Sequence, residues 1–147
     1  MGRTILVPLD GTRGSEGVLA SAAELARAEG GAIRLLHVAP PVQAVTVDDR
    51  VVAYADEEEG RVSHEMGAYF RTLATALPDV PVEMAVRFGD PVEEILKEAA
   101  SGAGLIAMAT HRRSGFRRLV AGSVAERVER AAKVPVLLVA YGEPQAA

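Results

Sequence analysis

The sequence predicts an α/β fold, an open five-stranded parallel sheet of strand order 3-2-1-4-5 with helices on both faces. Short apolar runs alternate along the chain with segments of helical periodicity, which is the pattern of β-α-β units. Aromatic residues make up only 4% of the chain, so the core must be mainly aliphatic, as in parallel strands buried on both faces. The 147 residues suit one compact domain, which we expect over residues 1–141, with a short tail at 142–147.

Apolar runs predict the strands of this sheet at residues 5–9, 33–38, 82–88, 105–109 and 136–139. The first run ends at Asp10-Gly11, which is a turn signal, and the second ends at Pro40-Pro41. Parallel neighbours need crossover connections, so the helices are expected between these runs.

Helical spacing of apolar residues predicts the connecting helices. The first carries Val18, Ala22 and Leu25 and ends at Gly30-Gly31. A later helix begins at Asp90-Pro91, with the acid as cap and the proline at the first helical position. The longest apolar stripe comprises Val62, Met66, Tyr69, Phe70, Leu73 and Leu77.

Residues 42–60 show no regular pattern, so we expect a loop there. It is longer than most connections in a compact domain, and such loops often act as lids or binding loops.

The composition excludes several functional classes. Without cysteine, the chain has no disulfide, no thiol nucleophile and no Cys-ligated zinc. A net charge of −4 disfavours nucleic acid as a partner, because binding to phosphate backbones depends on positive surfaces. The N-terminus runs directly into the first strand and no apolar run is long enough to cross a bilayer, so we expect a cytoplasmic protein without a membrane partner.

No catalytic constellation is recognisable in the sequence. The histidines, at positions 37, 64 and 111, lie in different elements and lack metal-ligand spacing. We interpret His37, on a buried strand, as structural. Gly11, Gly14 and Gly17 have the spacing G-x-x-G-x-x-G rather than the dinucleotide fingerprint G-x-G-x-x-G.

The predicted strand order places a ligand crevice between the first and fourth strands. Ligands of doubly wound sheets bind outside the carboxyl ends of the strands, where the strand order reverses. Asp10-Gly11 and the stretch 109–123 would meet at that point.

The stretch 108–128, MATHRRSGFRRLVAGSVAERV, resembles the signature region of universal stress proteins, in which a phosphate-binding loop leads into a helix that opens with Gly-Ser. Asp10-Gly11, the turn at 89–91 and the closing run at 134–139 also resemble that family, in the same order. The resemblance implies a Rossmann-like fold that binds an adenine nucleotide, ATP or AMP, with Mg²⁺ accompanying ATP. It also implies a regulatory role in stress responses.

The family's ATP-binding pattern, G-x2-G-x9-G-[ST], falls on Ala109, Arg112, Gly122 and Ser123. The final pair matches, whereas both earlier glycines are replaced. An alanine is tolerated unless the backbone needs a positive φ. Arg112 either brings a guanidinium group to the phosphates or closes the pocket with its bulk, and the sequence leaves both alternatives open.

The candidate nucleotide contacts combine this loop with the strand ends. Asp10 either faces a ribose hydroxyl or forms an Asx turn. Ser123, three residues before Glu126, has capping-box spacing, and a cap and a phosphate site are compatible there. The full set is Pro8, Leu9, Asp10, Val38, Met108, Ala109, His111, Arg112, Arg113, Gly122, Ser123 and Val124.

Two other functions remain as alternatives. One is a dimeric interaction protein without a nucleotide, paired through the apolar last strand at Val136, Leu137, Leu138 and Val139. The other is a slow ATPase, which ranks lower because the sequence offers no general base or nucleophile.

Overall fold

The computed structural model describes residues 2–41, 45–53, 55–110 and 124–140. The strands are β1 (Thr4–Pro8), β2 (Ala32–Ala39), β3 (Val45–Val47), β4 (Arg50–Ala53), β5 (Val82–Phe88), β6 (Ala103–Thr110) and β7 (Val136–Ala140). The helices are α1 (Val18–Glu29), α2 (Ala55–Thr75), α3 (Pro91–Ala100) and α4 (Val124–Ala131), and a 3₁₀ helix spans Arg13–Gly17.

The main sheet has five strands in the order β5-β2-β1-β6-β7, and all its neighbouring strands run parallel. This confirms the predicted order 3-2-1-4-5, with β5, β6 and β7 as the third, fourth and fifth predicted strands. The chain leaves β1 towards β2 and later returns to the other side of β1 as β6. The order therefore reverses between β1 and β6, where the sequence predicts the crevice.

Two apolar layers hold the helices against the sheet. Because successive strand residues point to opposite faces, Ile5 and Val7 belong to one layer and Leu6 to the other. The first layer packs under α1 and α2 and contains the fully buried Phe70. The second packs under α3 and α4 around Ile106. Full burial of each such side chain is worth about 1.5–3 kcal/mol.

The prediction of a loop over residues 42–60 is wrong for most of that segment. Strands β3 and β4 form an antiparallel hairpin, and α2 already begins at Ala55. The central turn residues Asp48 and Asp49 both have positive φ, as a type I′ hairpin turn requires. Strands of three and four residues are too short to show periodicity, and no glycine marks the turn.

Within the described ranges, none of the helices combines the length and the hydropathy that crossing a bilayer requires. The predicted tail at 142–147 lies outside the described residues, so the domain boundary stays a prediction, as does the cytoplasmic location.

Candidate functional site

The end of β1 is anchored to β2 by hydrogen bonds. The amide of Leu9 donates to the carbonyl of Leu36 at 2.8 Å. The carbonyl of Leu9 lies 2.9 Å from Nδ1 of His37, which must be the donor because a carbonyl only accepts. His37 thus fixes the strand end next to Asp10, as expected of a structural histidine.

Asp10 forms the Asx-type turn that was one of its two predicted roles. Its Oδ1 accepts hydrogen bonds from the amide of Thr12 at 2.9 Å and from the hydroxyl of Thr12 at 2.6 Å. Gly11 lies between them with φ +91°, a conformation that favours glycine. An Asx turn leaves the side chain of Asp10 at the cavity, so the two predicted roles are compatible.

Ser15 closes this turn from the 3₁₀ helix. Its hydroxyl accepts from the amide of Asp10 at 3.2 Å and donates to the carbonyl of Thr12 at 3.0 Å. The amide of Ser15 in turn donates to Oγ1 of Thr12 at 3.4 Å. With only 4% of its surface exposed, Ser15 is a buried polar residue whose hydroxyl is satisfied within the turn.

A cavity of about 390 Å³ opens beside this turn, under α3 and α4 and at the carboxyl ends of β1 and β6. Its volume lies within the range of about 300–1,000 Å³ typical of small-molecule sites. Asp10 is the one carboxylate on its wall in the described part of the chain, and most other lining side chains are apolar. The lining residues are Pro8, Leu9, Asp10, Ser15, Val38, Pro91, Ile95, Met108, Ala109, Thr110, Val124 and Ala125.

The cavity brings together every predicted contact that lies in the described ranges. These contacts are Pro8, Leu9, Asp10, Val38, Met108, Ala109 and Val124. The remaining predicted contacts, His111, Arg112, Arg113, Gly122 and Ser123, lie outside the described residues.

Ala109 replaces the first glycine of the nucleotide-binding pattern without backbone strain. It lies in β6, in register with Val139 of β7. Among the described residues other than glycine, positive φ occurs only at Asp48 and Asp49. A glycine is therefore not required at position 109 for conformational reasons.

Several lining residues were not predicted: Ser15, Pro91, Ile95, Thr110 and Ala125. Pro91 and Ile95 are four positions apart and thus share one face of α3. The sequence places them in a helix but does not show that this helix covers the crevice. The sequence signal for Ser15 is a polar residue four positions after the Asp10-Gly11 turn.

A charge cluster formed by Arg34, Arg87, Glu94 and Glu98 flanks the cavity on the β5 side. Glu98 accepts from Nη1 of Arg34 at 3.1 Å and from Nε of Arg87 at 2.6 Å. Arg87 also donates to Glu94 at 3.1 Å, which holds the pKa of Glu94 below its usual range. Arg87 lies beside the cavity-lining Val38 in the β2–β5 ladder, so this cluster fixes α3 next to the site.

Tyr69 of α2 contacts the turn from the opposite face of the sheet. Its hydroxyl donates to the carboxylate of Glu16. Burial raises the pKa of Tyr69, and the hydrogen bond to Glu16 and the negative charges of Glu16 and Asp10 raise it further. This contact joins α2 to the 3₁₀ helix that follows the turn after β1.

Comparison with known proteins identifies the family. The sequence model of the Universal stress protein family matches residues 1–140. Universal stress protein YxiE of Bacillus subtilis is 28% identical over 143 residues, covering 92% of this chain and 97% of that protein. Universal stress protein Rv2005c of Mycobacterium tuberculosis is 29% identical over 135 residues, covering 91% of this chain. The chain spans only 44% of the length of this mycobacterial relative.

Solved structures share the fold. The hypothetical protein MJ0577 superposes with a TM-score of 0.76 at 25% identity, covering 97% of this chain and 99% of that one. A universal stress protein in complex with cAMP superposes with a TM-score of 0.71 at 20% identity, covering 95% of this chain and 97% of that one. A universal stress protein from Archaeoglobus fulgidus in complex with dAMP superposes with a TM-score of 0.63 at 18% identity, covering 94% of this chain and 97% of that one. The match of the family model over nearly the whole length shows that this chain belongs to the universal stress protein family.

Proposed function

We propose that this chain binds an adenine nucleotide, ATP or AMP, in the cavity between β1 and β6 and acts as a regulatory module in a stress response. The observation that carries the proposal is the position of Asp10, a carboxylate on the wall of a largely apolar cavity at the point where the strand order reverses. Complexes of other family proteins with cAMP and with dAMP support it.

The lining suits the two halves of a nucleoside. Val38, Ile95 and Met108 offer apolar surface to a purine base. The carboxylate of Asp10 only accepts hydrogen bonds at neutral pH, so it matches the donating hydroxyls of a ribose. Base and sugar would therefore occupy the described part of the site.

The phosphates would extend towards the loop between β6 and α4. His111, Arg112 and Arg113 would supply positive charge there, and Gly122 and Ser123 precede the first turn of α4, where helix amides favour anions. These roles remain predictions. Mg²⁺ would enter with ATP, since it binds through substrate phosphates and keeps several of its waters.

Isothermal titration of nucleotide-stripped protein with Mg-ATP, AMP and adenosine tests the proposal. We expect saturable binding of about one ligand per chain, because the fold presents one such switch point. No heat up to millimolar concentrations, together with no competition against a fluorescent ATP analogue, would refute it. The chain would then be better described as an interaction protein without a nucleotide.

Arg112→Ala separates the two roles left open for this residue. If the guanidinium group contacts phosphates, the substitution weakens ATP binding by about tenfold or more and leaves the affinity for adenosine nearly unchanged. If the side chain obstructs the pocket, both ligands bind more tightly. Arg117→Ala, at another arginine of the same segment, is the control for a change in net charge.

We also propose that two chains pair through β7. This strand is an edge of the main sheet, and its hydrogen-bonding groups facing away from β6 have no strand beside them in the described part of the chain. Leu137 and Val139 pack on one apolar layer, Val136 and Leu138 on the other, and all remain partly exposed. An apolar edge of this kind favours pairing with a second strand.

Leu138→Lys tests the pairing, because a charge on this strand opposes an apolar interface. We expect monomers by light scattering, with circular dichroism confirming that the variant is folded. A folded variant with an unchanged dimer mass would place the interface elsewhere.

A further inference from the structure

We infer that the hydroxyl of Thr12 is a positioning group for Asp10 and sets how strongly the site prefers ribose over a sugar that lacks the 2′ and 3′ hydroxyls. The inference rests on the proposed nucleotide binding and concerns its sugar specificity. It follows from the hydrogen bonds of the turn at residues 10–15.

The hydroxyl of Thr12 has one proton, and the geometry assigns it to Asp10. Its Oγ1 lies 2.6 Å from Oδ1 of Asp10, within the range of about 2.5–2.7 Å of a hydroxyl bonded to a carboxylate. On its other side, Oγ1 accepts from the amide of Ser15 at 3.4 Å. The short bond to Asp10 thus orients the Thr12 hydroxyl. The contact from the 3₁₀ helix is weaker, because the amide of Ser15 is shared with the carbonyl of Thr12 at 3.2 Å.

The two bonds from Thr12 fix the plane of the Asp10 carboxylate. Its side chain has only two rotatable bonds, and Oδ1 is held by both the amide and the hydroxyl of Thr12. The backbone of Asp10 is held as well, because its amide donates to the buried hydroxyl of Ser15. The carboxylate therefore keeps one orientation at the cavity wall, and a ligand need not spend binding free energy on ordering it.

Preorganisation of this kind acts on ligand hydroxyls and not on the base. A 2′ or 3′ hydroxyl of adenosine that donates to Asp10 benefits from the fixed carboxylate, whereas 2′,3′-dideoxyadenosine lacks both of these hydroxyls. A hydrogen bond to a charged group is worth about tenfold or more in affinity. Loss of the Thr12 hydroxyl should therefore reduce the preference for adenosine over dideoxyadenosine, with little effect on the affinity for dideoxyadenosine.

The test measures dissociation constants of adenosine and 2′,3′-dideoxyadenosine by calorimetry for wild type, Thr12→Val and Thr12→Ser. Valine keeps the branched shape and the backbone amide but removes the hydroxyl, and serine keeps the hydroxyl. We expect wild type and Thr12→Ser to prefer adenosine by about tenfold. In Thr12→Val that preference should fall by about two- to tenfold, the cost of ordering one side chain, with dideoxyadenosine affinity within about twofold of wild type.

A Thr12→Val variant that keeps the wild-type ratio, or that loses affinity for both ligands equally, would overturn the inference. Thr12→Ala, which removes the same hydroxyl without a second methyl group, replaces the valine variant if that one does not fold. Wild-type protein that binds both ligands equally would overturn the role of Thr12 and leave nucleotide binding intact. Wild-type protein that binds no adenine ligand would overturn both proposals.

Discussion

The hydroxyl of Tyr69 donates a hydrogen bond to the carboxylate of Glu16, and this bond joins α2 to the 3₁₀ helix after β1. Glu16 directly follows Ser15, whose hydroxyl holds the Asp10 turn. The long helix α2 is therefore connected to the wall of the cavity through one side-chain contact. This connection has a spectroscopic consequence.

We expect Tyr69 to ionise at a higher pH than an ordinary tyrosine, whose pKa is about 10. Burial and the nearby carboxylate disfavour the phenolate, so the folded-state pKa is raised. The stabilisation is therefore fully present below about pH 10 and is lost as the pH rises through the folded-state value. Absorbance of the phenolate during alkaline titration should show one delayed tyrosine among the three, and Tyr69→Phe should remove it. Three tyrosines titrating together in the folded wild type would contradict the prediction.

Glu98 and Glu83 both pair with Arg34, at 3.1 and 2.9 Å, but differ in burial. The side chain of Glu98 is 11% exposed and that of Glu83 is 54% exposed. Glu98→Ala removes the partner that Arg34 and Arg87 share, although each arginine keeps a second carboxylate, Glu83 and Glu94 respectively. The substitution should lower the free energy of unfolding by about 1–3 kcal/mol, because Glu98 is buried. Glu83→Ala, the matched control, should cost less than about 1 kcal/mol. If urea unfolding showed similar losses of stability for the two variants, burial would not decide how much each carboxylate contributes to stability.

Glu94 predicts a loss of stability in acid. Its hydrogen bond with Arg87, and next that with Lys97, lowers its folded-state pKa. The contribution is thus present above the unfolded-state pKa of about 4.3 and is lost as the pH falls through the lower folded value. Urea unfolding between about pH 7 and pH 3 should show a shallower decline for Glu94→Gln than for wild type. Glu93→Gln, at the exposed neighbouring position, is the control. If its stability declined equally shallowly with falling pH, the acid-dependent loss could not be assigned to Glu94.

Gly31 lies where the chain passes close to β1. A Cβ added there would lie 2.1 Å from the carbonyl oxygen of Arg3, which is backbone and cannot move aside cheaply. Gly31→Ala should destabilise the fold by about 1–3 kcal/mol or more. Gly60→Ala, in α2 with open space around it, should instead stabilise by about 0.5–1 kcal/mol. Equal melting temperatures for the two variants would contradict the steric argument.

Ala109→Gly should leave the nucleotide affinity within about twofold of the wild-type value, because the extended backbone of β6 does not need a glycine there. Stability should fall slightly, by about 0.5–1 kcal/mol, from the greater freedom of the unfolded chain. Calorimetric titration and thermal unfolding of the same sample measure both. A large gain in affinity would show that the methyl group of Ala109 obstructs the ligand.

Local sequence patterns were sufficient for the sheet and for part of the site. Apolar runs separated by helical periodicity, together with right-handed crossovers, leave few strand orders, and the observed order is the predicted one. Asp10-Gly11 marked the turn, since φ +91° at Gly11 favours glycine. Asp90-Pro91 marked the start of α3, where Asp90 accepts from the amide of Glu93 at 2.9 Å. Each of these signals depends only on neighbouring residues and on burial.

Local patterns in the chain therefore suffice to predict the strand order, the turn after β1 and the end of the sheet where a ligand would bind. The packing of α3 on the sheet brings Pro91 and Ile95 to the cavity and places Glu98 between Arg34 and Arg87. The hairpin at residues 45–53 has strands too short for a recognisable pattern. Propensity and periodicity report on one segment at a time. Contacts between side chains from distant segments depend on how helices pack across the sheet, which no local pattern records.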